Sequence, residues 1–175
     1  IKYFNIIILI FLLLINFNKV NSDEPIVYVN LNKILLNSLA GKSLNDKLNK
    51  RNDLNSKKFQ KKLATLKSKE QDIISKKNVL NPDDFQKKVN DLKNEFVLYK
   101  KLADEASKSF NKKKYNSEVA LMKSLNLVLS DYSKNNDILI ILDKKHILFA
   151  KTELEITDKI MNELNKKIKD IKLEK

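Results

Sequence analysis

Apolar or small residues fall at Phe85, Val89, Leu92, Phe96, Tyr99, Ala103, Ala106 and Phe110, in steps that alternate four and three without a break. That is the seam spacing of a coiled coil, about 3.5 residues per repeat. A weaker version precedes it at Phe59, Leu63, Leu66, Ile73 and Leu80, with Glu70 and Lys77 in the intervening seam positions. Asn81-Pro82 stands between the two stretches. Asn81 has the chemistry of a helix N-cap, Pro82 suits the first helical position, and Asp83 and Asp84 complement the positive helix start. Neither stripe is buried by its own helix, so the two segments are expected to fold back on each other. The fold class expected is mostly α with a small β part: a long antiparallel coiled-coil hairpin, tipped by Asn81, Pro82, Asp83 and Asp84, projecting from a small sheet-and-helix body.

Composition agrees. One Gly and two Pro in 175 residues leave few tight turns, which favours long helices over a many-stranded sheet. There is no Cys, so no disulfide staples the fold. The N-terminal 22 residues are set apart from the fold. Lys2 precedes an uninterrupted apolar run from Ile6 to Ile15, and Val20-Asn21-Ser22 forms a small-residue cleavage site before Asp23. This reads as a secretory signal peptide cut between Ser22 and Asp23. The rival, a membrane anchor, needs about 20 apolar residues to span a bilayer. The expected location is the periplasm.

Pieces on either side of the hairpin supply the body, residues 23–41 and 135–175, leaving 42–134 as the arm. Ile26-Val27-Tyr28-Val29-Asn30 is a β-prone run after Pro25, and Leu31 to Leu39 has helical spacing, with Gly41 as the break or C-cap before the arm. After Asn135-Asn136-Asp137, the runs Ile138–Leu142 and Ile147–Ala150, joined by Asp143–His146, predict a β-hairpin. Thr157 is the expected cap of a last helix carrying Ile160, Met161, Leu164, Ile168 and Ile171. Residues 31–79 and 83–133 both make helical rods of about 75 Å, so the strands before and after the arm meet at the same end. Three strands and one helix bury a small core, and the body is expected to oligomerise.

Charge is concentrated in the arm. Residues 42–134 hold 23 basic and 12 acidic side chains, while 23–41 and 135–175 are close to neutral. Coding bias toward Lys and Asn (34 Lys and 22 Asn against one Arg) raises the lysine content, but does not by itself spare the two ends. Anionic polymers, acidic lipid head groups and acidic client proteins are the partners such a surface suits. Candidate contact residues are Lys57, Lys61, Lys87, Lys88, Lys100, Lys101, Lys112 and Lys113.

The residues so far resemble the Skp (OmpH-like) family of periplasmic chaperones. The likeness is carried by the signal peptide, by Ile26 to Ile34, by Ser38-Leu39-Ala40-Gly41-Lys42, and by the Lys-rich hairpin. It continues in the apolar run with a central Asp over 138–150 and in Leu154-Glu155-Ile156-Thr157-Asp158-Lys159-Ile160. The resemblance implies a homotrimer whose three arms enclose unfolded outer-membrane proteins. The near-absence of Arg departs from what a lipopolysaccharide site with bidentate phosphate contacts would use.

Motifs for chemistry are weak. Ala40-Gly41-Lys42-Ser43 ends like a P-loop, yet Leu36 stands where its first Gly belongs. His146, the single histidine, has no partners of the kind a metal or a triad needs. Asp83/Asp84 and Asp104/Glu105 are sequence neighbours, which point apart on a helix. No catalytic residue, cofactor or metal is expected, and nucleic acid is disfavoured by the signal peptide and the lack of Arg. The aromatic stripe Phe59, Phe85, Phe96, Tyr99 and Phe110 reads either as the internal seam or as a client surface. Near the arm's middle the seam is polar at Arg51, Asn52, Asn55 and Ser56, and Asn111–Glu118 is expected to lie opposite, making a zone that bends. The functional expectation is an ATP-independent holdase for unfolded outer-membrane proteins. Its rivals are a structural envelope coiled coil and a basic binder of anionic lipid or lipopolysaccharide.

Overall fold

The computed structural model describes residues 25–173, so the signal peptide reading, including Ser22 and Asp23, lies outside the described residues. Strand β1 (Ile26–Val29) leads into α1 (Leu31–Asn37) and α2 (Leu39–Ser75); α3 (Pro82–Asn135) returns, followed by β2 (Ile140–Asp143) and α4 (Thr157–Lys167). At about 1.5 Å per residue, the 37 residues of α2 span roughly 55 Å and the 54 of α3 roughly 80 Å.

The hairpin forms, with two corrections to its expected geometry. The outgoing helix stops at Ser75 and turns occupy 76–79, whereas the seam count ran it to Leu80. Lys76 N donates to the Asp72, Ile73 and Ile74 carbonyls, a tightening last turn that leaves the remaining residues to reverse direction. Helix α3 then starts as its sequence dictates: Asn81 Oδ1 accepts from Asp84 N at 2.8 Å, with Pro82 in the first turn. The second concerns the polar stretch of the outgoing helix, which lines a groove with residues ending at Phe110, just short of the 111–118 expected to face it. Asn52, Asn55 and Ser56 share a shallow groove with Ala103, Ala106 and Phe110, while Ser117 is buried nearer the root.

The break before the arm sits at Ser38, not at Gly41. Ser38 is extended (ψ 157°), and its hydroxyl accepts from Gly41 N at 3.1 Å, capping α2. Gly41 lies in the first turn of α2, where a Cβ would stand 1.9 Å from the Leu35 carbonyl oxygen. Only a residue without a side chain lets the two helices approach this closely.

The sheet also differs from expectation. It has two strands, β1 and β2, paired in parallel with Ile26 opposite Ile140 and Val29 opposite Asp143. The anticipated hairpin over 138–150 is absent. Asp143-Lys144-Lys145-His146 holds no residue pair suited to a two-residue hairpin turn; instead residues 144–146 form a 3-10 turn capped by Asp143. The far side of β1 is taken by Glu155 and Ile156, whose N donates to the Tyr28 carbonyl at 2.9 Å. Hence β1 is central, with Val27, Tyr28 and Val29 buried, while β2 is an edge with Ile140 and Leu142 exposed.

Thr157 is not an N-cap. It is the first residue of α4, nearly fully buried, and its Oγ1 accepts from Asn30 N (2.9 Å) while donating to Glu155 Oε1 (2.8 Å). The bond joins the two ends of the chain. The core of the base gathers Val29, Ile34, Leu44, Leu125, Ile160 and Leu164, all at 3% exposure or less. Residues Ile171 and Ile168 pack on it beyond the end of α4.

Candidate functional site, the arm surface

The arm buries a narrow seam. Phe85, Val89, Phe96, Tyr99, Ala103, Ala106 and Phe110 are half-buried, and Leu66 and Leu92 are buried. This favours the internal reading of the aromatic stripe. It is incomplete, however, because the seam opens on one side into a groove of about 570 Å³. Phe59 and Tyr99 meet there edge to face, ring centres 6.0 Å apart at 68°. Leu98 and Leu102 extend the apolar floor, both more than 40% exposed. Lys58, Lys61 and Lys62 form the rim, and Lys58 Nζ lies 5.7 Å from the centre of the Phe59 ring. The other helix contributes Glu95, which accepts from Lys69 Nζ at 2.7 and 2.8 Å. That hydrogen bond holds the Glu95 carboxyl below its ordinary range.

The base carries a different surface. Leu148 and Phe149 are almost wholly exposed, and Ile26, Leu139, Ile140 and Leu142 are exposed near them in sequence or in the sheet that precedes them. Ion pairs stitch the base together: Lys47 to Asp170 and Lys167 to Asp131 tie the tail and α4 to the arm's root, Lys33 to Asp158 (2.7 Å) ties α1 to α4, and Lys144 to Glu155 (2.8 Å) ties the turn after β2 to the segment before α4. The bond from Lys47, with a second from Ser43, pulls the Asp170 carboxyl below the usual range. Lys167 does the same to Asp131, and Lys144 with Thr157 to Glu155.

Known proteins agree with this architecture. Residues 25–164 match the family described as Outer membrane protein (OmpH-like). The chain belongs to the OmpH-like family. Among solved structures, this OmpH-like chain is similar to an outer membrane chaperone (OmpH-like) of Caulobacter crescentus CB15. The TM-score is 0.81 at 15% identity, over 86% of this chain and 89% of that one, a likeness of fold. No curated protein matches the sequence.

The eight lysines singled out from sequence are spread along the arm of this OmpH-like chain and are not brought together. All are exposed except Lys113, which is half-buried. The arm's internal ion pairs use other lysines: Lys69 to Glu95, Lys76 to Asp72, Lys108 to Asp104, and Lys114 to Glu118. Of the eight, only Lys61 lines the aromatic groove, beside Lys58 and Lys62, which the sequence reading passed over. Their spacing of three and four residues places the three on one helix face, a signal that was available. Asn81, Pro82, Asp83 and Asp84 cluster at the tip, where Asn81 Nδ2 also donates to Asp84 Oδ2 at 2.6 Å. His146 is exposed in the 3-10 turn, and among the described residues no group of three or more His, Cys, Asp or Glu could hold a metal. The Gly41-Lys42-Ser43 segment is helical and packed on Leu35, a geometry unlike a phosphate-cradling loop.

Proposed function

We propose that this chain is a periplasmic, ATP-independent holdase that surrounds unfolded outer-membrane proteins and keeps them from aggregating. The observation that carries the reading is the arm: a projecting hairpin with a thin seam, exposed lysines and a shallow apolar groove. Membership of the OmpH-like family and the fold shared with an outer membrane chaperone support it. Binding is diffuse, through weak apolar contacts and attraction to lysines such as Lys57, Lys87, Lys88, Lys100, Lys101 and Lys112, so the client leaves without nucleotide hydrolysis. The leader ending at Ser22 directs export.

The body assembles three copies. Support comes from Leu148, Phe149 and the β2 edge, a concentration of uncovered apolar side chains that a lone soluble body would not leave in water. Sedimentation equilibrium of the mature chain is expected to give a trimer; a monomer at micromolar concentration removes this part of the proposal.

Light scattering of a β-barrel outer-membrane protein diluted from urea tests the activity. The mature chain is expected to suppress aggregation near stoichiometry, and added salt to weaken the effect without abolishing it. No suppression sinks the holdase reading in favour of a structural coiled coil. Complete loss in salt, with binding to anionic vesicles instead, favours the lipid-surface reading.

A further inference from the structure

Most of the arm offers no defined site, but the groove beside the Phe59–Tyr99 ring pair differs from the rest in shape and in charge. Its floor is aromatic and aliphatic: Phe59, Tyr99, Leu98 and Leu102. Its rim carries Lys58, Lys61 and Lys62, spaced so that three ammonium groups crowd one helix face. None of the three has a carboxylate at ion-pair distance among the described residues: Glu95, the groove's own acid, bonds Lys69 and feels Lys62 only through space. Like charges crowded at that spacing repel, and an incoming anion relieves the repulsion. The Lys58 ammonium over the Phe59 ring also sets a cation where an apolar side chain would enter.

We infer that this groove is a preferred docking register for one class of client segment: an extended stretch with an aromatic or large aliphatic side chain flanked by carboxylates. This deepens the holdase reading and rests on it. The apolar side chain lies against Leu98, Tyr99 and Leu102, and the flanking carboxylates reach Lys58, Lys61 and Lys62. In an extended segment, alternate side chains point to opposite faces, so residues on both sides of an inserted side chain can turn toward the rim. A volume of about 570 Å³ accommodates a few side chains and is small for a multi-chain lipid. The occupant is therefore a peptide segment, in which acidic residues neighbouring aromatic ones raise affinity. The groove then supplies selectivity within an otherwise diffuse chaperone surface.

The chain has no Trp, so a peptide tryptophan gives a clean signal. The experiment titrates full-length mature protein into two Trp-containing peptides of equal hydrophobicity, one with flanking Glu and one with flanking Lys. It is repeated with the triple variant Lys58→Gln, Lys61→Gln, Lys62→Gln and with a charge-matched control of exposed arm lysines outside the groove, Lys67→Gln, Lys77→Gln, Lys93→Gln. Circular dichroism confirms that both variants keep their helix content. The acidic peptide is expected to bind the unsubstituted protein more tightly than the basic one. It should lose about five- to tenfold in affinity in the groove variant and less than twofold in the control. Leu102→Asn is expected to weaken both peptides. Equal losses in the two triple variants overturn the inference, because net charge then accounts for everything. So does a groove variant that loses binding to phosphatidylglycerol vesicles but not to the acidic peptide. Aggregation suppression measured on the same proteins separates the two levels. If it persists while peptide selectivity is absent, only the groove assignment falls; if it is absent in the unsubstituted protein, the holdase reading falls first.

Discussion

The arm and the base are built from the same helices, yet they are held together differently. At the base, α2 and α3 have β1, α1 and α4 packed around them, and Leu44, Leu125, Ile160 and Leu164 are sealed from water. Further out, the same two helices have only each other. Beyond residue 49 on the outgoing helix and before 117 on the returning one, Leu66 and Leu92 are the buried apolar side chains. Two helices in contact along one stripe leave most of each surface exposed, so burial per residue falls. The difference teaches that stability is concentrated at the base and yielding at the arm. A base that holds its shape anchors limbs whose local opening costs little.

The sharpest way to break this comparison is to cut a cavity at the base. Ile160→Ala removes a side chain with no exposure, and is expected to cost about 4 kcal/mol in urea denaturation, with the whole chain affected. Gly41→Ala comes next. Its Cβ would collide with the Leu35 carbonyl, so a loss of about 3 kcal/mol is expected from a single methyl group. A change within 0.5 kcal/mol would mean that α1 and α2 do not meet as described.

Leu92→Ala tests the arm. The cost is expected at about 2 kcal/mol, the low end for such truncations, and to appear as faster amide exchange confined to the arm. Amides around Asn52 and Asn55, where the seam is polar, should exchange faster than those around Leu125. The reverse order would refute the soft-arm picture.

Acid should act more on the base than on the outer arm, where among the described residues Glu95 alone is held low. Asp170, Asp131 and Glu155 have lowered pKa values through hydrogen bonds from Lys47, Lys167 and Lys144, and all three lie where α4 and the tail meet the arm's root or β1. A carboxylate lowered in the folded state stabilises it above the unfolded pKa, and the contribution is lost as pH falls through the folded value. Stability should therefore be flat near neutrality and decline below the ordinary values of 4.5 for glutamate and 3.8 for aspartate. A pH titration of the melting temperature reads this, and Asp170→Asn should flatten part of the decline. The Lys144 pKa is raised by the same Glu155 bond, so on the alkaline side that pair's contribution is held up to the ordinary lysine value of 10.5 and lost above it. Smallest of all is Lys69→Gln. It removes an exposed cross-arm ion pair and should leave the urea midpoint unchanged within error, while raising the Glu95 pKa toward its ordinary value. A measurable drop would show the arm to be more tightly knit than its seam suggests.

Much of the arm was legible beforehand because its information is local. The four-three alternation from Phe85 to Phe110, the Asn81 cap and Pro82 at the helix start all act within a turn or two of themselves, and the helix they announce forms there. The misreadings cluster where a residue's role depends on distant neighbours. Ile147–Ala150 has the look of a strand, but the place beside β1 belongs to Glu155. Thr157 has the look of a cap, but its hydroxyl faces Asn30, 127 positions away. Gly41 was read as a terminator, whereas a carbonyl from the preceding helix is what excludes any side chain there.

Periodicity and capping, which are short-range, were sufficient to announce a helical hairpin with a cationic surface. The parallel strand pair and the groove at Phe59 and Tyr99 were decided only by assembly. Each depends on how two rods of unequal length come together and on the packing of the base. No window of neighbouring residues contains that information, because long-range register is settled by which total burial is greatest.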